Sequence, residues 1–165
     1  MTAGAQRATL VPNPGSEEGV IQVLAVSAGD ELYGFPLSSV REILMPPPLT
    51  EVPRAAEHFL GIISVRGEIV TLVDLPKRLD LDAREARPAG RILLVDNGDE
   101  VLGLAVDRVI RVAHLAPDQI EYASAMSAEL SEYVVGIARI PSDSPSDESD
   151  LLIMIDPSAL LGDLT

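Results

Sequence analysis

One internal duplication constrains this chain more than any other feature. Gln22–Val23–Leu24–Ala25–Val26–Ser27–Ala28–Gly29–Asp30–Glu31 resembles Arg91–Ile92–Leu93–Leu94–Val95–Asp96–Asn97–Gly98–Asp99–Glu100. The match runs on without a gap: Leu32 to Leu37 lies against Val101 to Val106, and Val40 and Ile43 against Val109 and Val112. The offset is 69 residues throughout, from Gly29 to Gly98 and from Val40 to Val109. A second pair follows in the same order. Gly61–Ile62–Ile63–Ser64–Val65 resembles Gly136–Ile137–Ala138–Arg139–Ile140, and Ile69 to Asp74 resembles Leu151 to Asp156, at a larger offset because one connection is longer. The period is too long for a solenoid unit and occurs twice. Two similar lobes are expected.

Each half reads as β structure. Asn97–Gly98 after an apolar run is a strong hairpin signal, since both residues tolerate positive φ, and Gly29–Asp30 holds the equivalent place. Leu37, Val40 and Ile43, like Val106, Val109 and Val112, are spaced for a helical turn yet are mostly β-branched, so the pattern leaves helix and strand open. Gly34 and Gly103 sit inside strand patterns, which suggests bulges or bends where a small barrel closes. Ile69–Val73 and Leu151–Ile155 are nearly continuous apolar runs, expected at the centre of a core. Each ends in Asp with Pro close behind, an N-cap followed by a first-turn proline. Short helices are expected at about Leu75–Leu79 and Pro157–Leu161. Arg84 to Gly90, with Pro88, is taken as the link between lobes. The expected architecture is mainly β, two small five-strand-type barrels side by side.

Composition narrows the functions. The 165 residues suffice for one domain of two small lobes, here residues 20–165. Hydrophobic residues make up 47% but aromatics only 3%, so Val, Ile, Leu and Ala must build the core. A net charge of −14 argues against nucleic acid, where Lys and Arg must displace counterions, and against docking on anionic lipid. It leaves basic protein partners open. The absence of cysteine removes disulfides, thiolate zinc sites and thiol nucleophiles, and fits a reducing cytoplasm. No run approaches a membrane span. Residues 1–19, rich in small residues, Pro and Gly, are expected to be a disordered leader.

Catalytic chemistry finds little support. His58 and His114 are the only histidines, and neither lies in a nucleophile-elbow or zinc-protease context. No phosphate-cradling loop occurs, and Lys77 is the only lysine. No cofactor, metal or catalytic residue is therefore assigned. Ser142 to Asp150 lacks the spacing, the glycine and the terminal glutamate of a calcium loop, and reads better as a solvated hairpin extension. Met45–Pro46–Pro47–Pro48 can present a polyproline face, but a stiff crossover between strands is the simpler reading. Arg66–Gly67–Glu68 is the exception. The duplication puts it in a tight turn between two apolar strands, where a guanidinium can make a planar, bidentate bond to a carboxylate. That carboxylate belongs either to a partner or to this chain, with Glu42 or Glu68 as internal choices.

The same residues carry a family resemblance. Tyr33–Gly34, Val40 with Glu42–Ile43, Pro53, Gly61 with Arg66–Gly67, and Val73–Asp74–Leu75 resemble the first half of CheW proteins. Gly103–Leu104–Ala105–Val106–Asp107 with Val109 and Val112, then Tyr133 with Gly136 and the final strand and helix, resemble the remainder. The ordered set covers about Val20 to Gly162. The resemblance implies two SH3-like five-stranded β-barrels around a shared hydrophobic interior, with a C-terminal helix. It also implies a non-enzymatic cytoplasmic adaptor that binds the cytoplasmic tip of a chemoreceptor and the regulatory domain of a CheA-type histidine kinase. Positions matching Val40, Glu42, Arg66 and Gly67 are then partner contacts. The groove between lobes, with Val106 and Asp107, is then the seat of the receptor helix hairpin.

Two departures stand out. Ser64 replaces the asparagine usual before the Arg-Gly pair, and the acidic Pro141–Asp150 connection is longer than usual. The alternatives are a specialised adaptor that engages receptor but not kinase, and a ligand-sensing module.

Overall fold

The computed structural model describes residues 19–79, 90–123, 132–142 and 149–162. The first half supplies β1 (Ile21–Ala28), β2 (Glu31–Pro36), β3 (Val40–Leu44), β4 (Phe59–Val65), β5 (Glu68–Asp74) and α1 (Leu75–Arg78). The second supplies β6 (Arg91–Asp96), β7 (Val101–Val106), β8 (Arg108–Leu115), β9 (Ile120–Tyr122), β10 (Val134–Pro141), β11 (Ser149–Ile155) and α2 (Pro157–Leu161). The segments left open between helix and strand are strands β3 and β8, the first preceded by a single 3-10 turn at Leu37–Ser39. Residues 1–18 of the expected leader, the 84–89 part of the link and the centre of the acidic connection lie outside the described residues.

Two sheets form, in the orders β8-β1-β2-β11-β10-β9 and β3-β6-β7-β5-β4. Exchanging each strand for its duplicate converts one order into the other, except for the short β9. Its counterpart is the isolated Thr50–Ile62 bridge. These are the two SH3-like barrels.

Sequence repeat and structural lobe do not coincide, however. The first hairpin of each half joins the other half's strands: β2 pairs in parallel with β11, and β7 in parallel with β5. β5 and β6, the strands on either side of 84–90, lie in the same five-stranded lobe, so the boundary between lobes does not fall there. The chain changes lobe at Leu37–Ser39 and at Asp107 instead.

This exchange explains the core. Val23 and Ala25 of β1 face the interior of the six-stranded lobe, while Leu24 and Val26 face a central cluster. Likewise Ile92 and Leu94 of β6 fill the five-stranded lobe, and Leu93 and Val95 enter the same central cluster. Phe35, Val73, Leu104, Ile155 and Leu160 complete that shared layer. β1 and β6 are thus buried on both faces, as is β7, which sends Leu102, Leu104 and Val106 into the central cluster and Ala105 into the five-stranded lobe. β5 and β11 are less central than their apolar runs suggested, because Ile69 is 74% and Leu151 48% exposed. Each fully buried Leu or Ile stabilises by roughly 1.5–3 kcal/mol, so a layer owned by neither lobe alone binds the two together.

The turns divide differently from expectation. Gly29–Asp30 is the two-residue turn, with Gly29 at φ 65° and Ala28 paired to Glu31. Asn97–Gly98 instead opens a longer connection between the Asp96–Val101 pair. There the buried Asn97 Oδ1 accepts from the Asp99 and Glu100 amides at 3.0 and 2.9 Å. Gly34 and Gly103 lie in unbroken β1–β2 and β6–β7 ladders, not at bulges. A Cβ on Gly34 would stand 2.5 Å from Val23 Cγ1, so the position needs glycine for close packing. The register shifts fall elsewhere, two of them beside Gly61 and Gly136.

Both helices start as the Asp-Pro signals require. Asp74 accepts from the Lys77 amide and Asp156 from the Ser158 amide, each at 3.0 Å. Arg78 Nε at the end of α1 donates to the Leu160 carbonyl of α2 at 2.9 Å, joining the two halves again. No helix among the described residues is long and apolar enough to cross a membrane.

Hairpin exchange predicts the behaviour of fragments. Residues 1–84 and 85–165 expressed separately should each lack cooperative unfolding, because each lobe needs strands from both. Co-expressed, they should purify together as one species with a native-like circular dichroism spectrum. Independent folding of either fragment would contradict the exchanged topology.

Candidate partner-binding site

Arg66 and Gly67 alone connect β4 to β5, with Val65 paired to Glu68. Their φ angles are 49° and 86°, both left-handed, as a type I′ turn requires. Gly67 is there for its backbone, since a Cβ would meet nothing within 4 Å. Arg66 carries a side chain in a conformation that costs an L-residue energy, the kind of local strain found at functional positions.

The guanidinium takes the internal option. Nη1 donates to Glu42 Oε2 at 3.1 Å, and Nη2 donates to Oε1 of the same carboxylate. Glu42 lies on β3, one margin of the five-stranded sheet, while the Arg66 turn extends from β4, the other margin. The ion pair therefore spans the gap between the two edges and closes the barrel. Glu68 contributes only a longer-range attraction. The hydrogen bond from Arg66 holds the Glu42 carboxyl below the ordinary glutamate range, and the same bond raises Arg66. Both side chains remain open to solvent, 69% exposed for Arg66 and 34% for Glu42, so the pair is only modestly stabilising.

A cleft of about 450 Å³ adjoins the pair. Val65, Ile69, Leu94 and Val101 give it an apolar floor, and Arg41, Glu42, Arg66, Glu68 and Glu100 a charged rim. Arg41 is itself paired to Asp96 at 2.7 Å, which holds the Asp96 carboxyl below its usual range. Ile69 was missed as a surface residue because an apolar run carries no mark of which member faces out.

The expected site residues fall into two groups. Glu42, Arg66 and Gly67 come together, with Val40 two residues along β3 beyond a register shift, half-buried against the shared core. Val106 and Asp107 lie elsewhere, at the crossing from β7 to β8. Val106 is 1% exposed, its side chain packed inside the shared core. Asp107 is half-buried and accepts from the Gly29 amide at 2.8 Å.

The other singled-out residues have local roles. The His58 ring packs 4.6 Å from Phe59, and burial, then nearby Arg78, lower its pKa. His114 shares a 3.1 Å hydrogen bond with Gln22. The proline run lies between β3 and the Thr50 bridge, with Met45 68% exposed at its start. The described ends of the acidic connection continue the β10–β11 hairpin, pairing Pro141 with Ser149.

The duplication exposes one residue that motif reading passed over. Arg111 is the counterpart of Glu42, and Pro141 that of Arg66. Arg111 Nη2 donates to the Pro141 carbonyl. The two lobes are thus closed at equivalent positions by different chemistry, a signal the two offsets of the duplication already contained.

Comparison with known proteins accounts for this arrangement. The CheW-like domain family matches residues 22–165. The chain belongs to the CheW-like domain family. It is 26% identical over 122 residues to the chemotaxis protein CheW of Helicobacter pylori, covering 74% of each chain. It is 28% identical over 125 residues to chemotaxis protein CheW of Treponema pallidum, covering 72% of each. Among solved structures, the scaffolding protein TtCheW from Thermoanaerobacter tengcongensis superimposes with a TM-score of 0.68 at 29% identity, covering 82% of this chain and 88% of that one. As a CheW-like protein, the chain is a chemotaxis adaptor. Its two closed barrels are the scaffold on which the Arg66 turn is displayed.

The pair titrates in a defined sense. A carboxyl lowered in the folded state contributes stability above its unfolded pKa, and that contribution is lost as pH falls through the folded value. Following the Glu42 side-chain carboxyl by NMR should give a midpoint below the ordinary value of about 4.3. In Arg66→Gln the midpoint should move up toward that value. Equal midpoints in both proteins would show that the pair does not form in solution.

Proposed function

We propose that this adaptor bridges two partners without catalysis, on the cytoplasmic side of receptor arrays. It takes the cytoplasmic tip of a chemoreceptor at the junction between its lobes and the regulatory domain of a CheA-type histidine kinase at the Arg66 surface. One observation carries the reading. The chain holds a 69% exposed arginine in left-handed backbone beside a cleft lined in equal part by apolar and charged side chains, where a partner can bury apolar surface and meet charge.

The physical case rests on competition. Glu42 accepts two of the roughly five N–H donors of a guanidinium. The exposed pair is weakly held, so a partner's polar groups can share or replace it on closing over the cleft. Desolvation then strengthens whatever charge pairing remains. Ile69 supplies the apolar centre and the charged rim supplies register.

Arg66→Ala is expected to fold with its thermal midpoint nearly unchanged and to weaken kinase-domain binding by more than about fivefold. Isothermal titration with the receptor tip and the kinase regulatory domain, tested separately, reads both surfaces. Unchanged affinity for both partners would remove Arg66 from the site. Parent binding to the receptor tip alone would favour the specialised adaptor.

A further inference from the structure

Asp107 is the single residue between β7, which belongs to the five-stranded lobe, and β8, which belongs to the six-stranded lobe. The crossing is gripped from both sides. From the six-stranded lobe, the Ser27 carbonyl accepts from the Asp107 amide at 3.0 Å, and the Gly29 amide donates to Asp107 Oδ2 at 2.8 Å. From the five-stranded lobe, the Gly90 amide donates to the Val106 carbonyl at 3.0 Å. Gly90 lies so close that a Cβ there would stand 1.8 Å from the Asp107 carbonyl oxygen. The β1–β2 turn, the entry to β6 and the lobe crossing therefore meet at one residue.

We propose that Asp107 is a positioning residue: by tying the β1–β2 turn to the crossing, its carboxylate fixes the angle between the lobes and so the shape of the groove between them. The inference rests on the reading that this groove seats the receptor tip, and it assigns Asp107 an indirect part in that binding. The reason is geometric. A carboxylate oxygen already committed to a backbone amide beneath a turn is held for structure, and the amide it satisfies would otherwise be left part-buried without an acceptor. The second crossing uses a different tie, Ser39 Oγ donating to the Pro36 carbonyl at 2.7 Å, so the two crossings are secured independently.

Three substitutions and three readouts test this. Asp107→Ala removes the acceptor, Asp107→Asn keeps an acceptor oxygen without the charge, and Gly90→Ala disturbs the crossing while keeping the carboxylate. The chain has no cysteine, so spin labels at Glu57→Cys and Arg139→Cys, one in each lobe, report the inter-lobe distance directly. Asp107→Ala and Gly90→Ala should broaden that distance distribution and weaken receptor-tip binding about fivefold, the worth of roughly one hydrogen bond. In Asp107→Ala the Gly29 amide should also exchange about tenfold faster. Kinase-domain binding should stay within about twofold, since the Arg66 surface lies elsewhere. Asp107→Asn should restore the parent distance and receptor affinity. A distance distribution in Asp107→Ala as narrow as the parent's would overturn the proposal. So would loss of receptor binding in Asp107→Asn with the Gly29 amide still protected, since the charge itself would then be the contact. If the parent does not bind the tip, the functional reading fails, and the spin-label distances still decide whether Asp107 sets the lobe angle.

Discussion

The structure depends on strands that are buried on both faces. β1 and β6 each send alternate side chains into their own lobe and into the central layer, so neither can leave without opening two cores at once. An ordinary half-buried strand has a whole polar face to give to water; these keep polar residues only toward their ends. Exchange of the first hairpins makes this possible, because it brings residues of both β1 and β6 to one central layer.

A scaffold of this kind keeps its shape while its surface is occupied. Rigidity at the Arg66 turn comes from two sources that do not depend on a partner. The type I′ backbone leaves the two turn residues little freedom, and the paired strands on either side fix the register, while in the free protein Glu42 also holds the guanidinium across the barrel's open edge. The same closure position in the other lobe carries Arg111 bonded to a backbone carbonyl. Duplication conserved the architecture of closure and let its chemistry diverge, which gives two similar barrels two different surfaces.

Much of this was legible before any coordinates. The 69-residue offset implied paired lobes, the Asp-Pro signals placed both helices, and the Arg-Gly pair marked its own turn. The misreadings share one cause. Asn97–Gly98 has the composition of a two-residue turn, but the buried Asn97 side chain organises a longer one. Gly34 looked like a bulge, whereas the space it leaves is needed by Val23 and Leu152 from other strands. Each depends on what a distant strand places opposite, and local pattern does not record that.

The residues alone determined that the chain is β-rich, duplicated, acidic and built without cysteine, because periodicity, turn chemistry and composition are properties of short stretches. Tertiary structure decided which copy of each strand pairs with which, which carboxylate Arg66 holds, and where the chain passes from one lobe to the other. Two copies of one strand pattern are nearly interchangeable as pairing partners. Only packing of both copies around a common layer distinguishes an exchanged pair of barrels from two that stand apart.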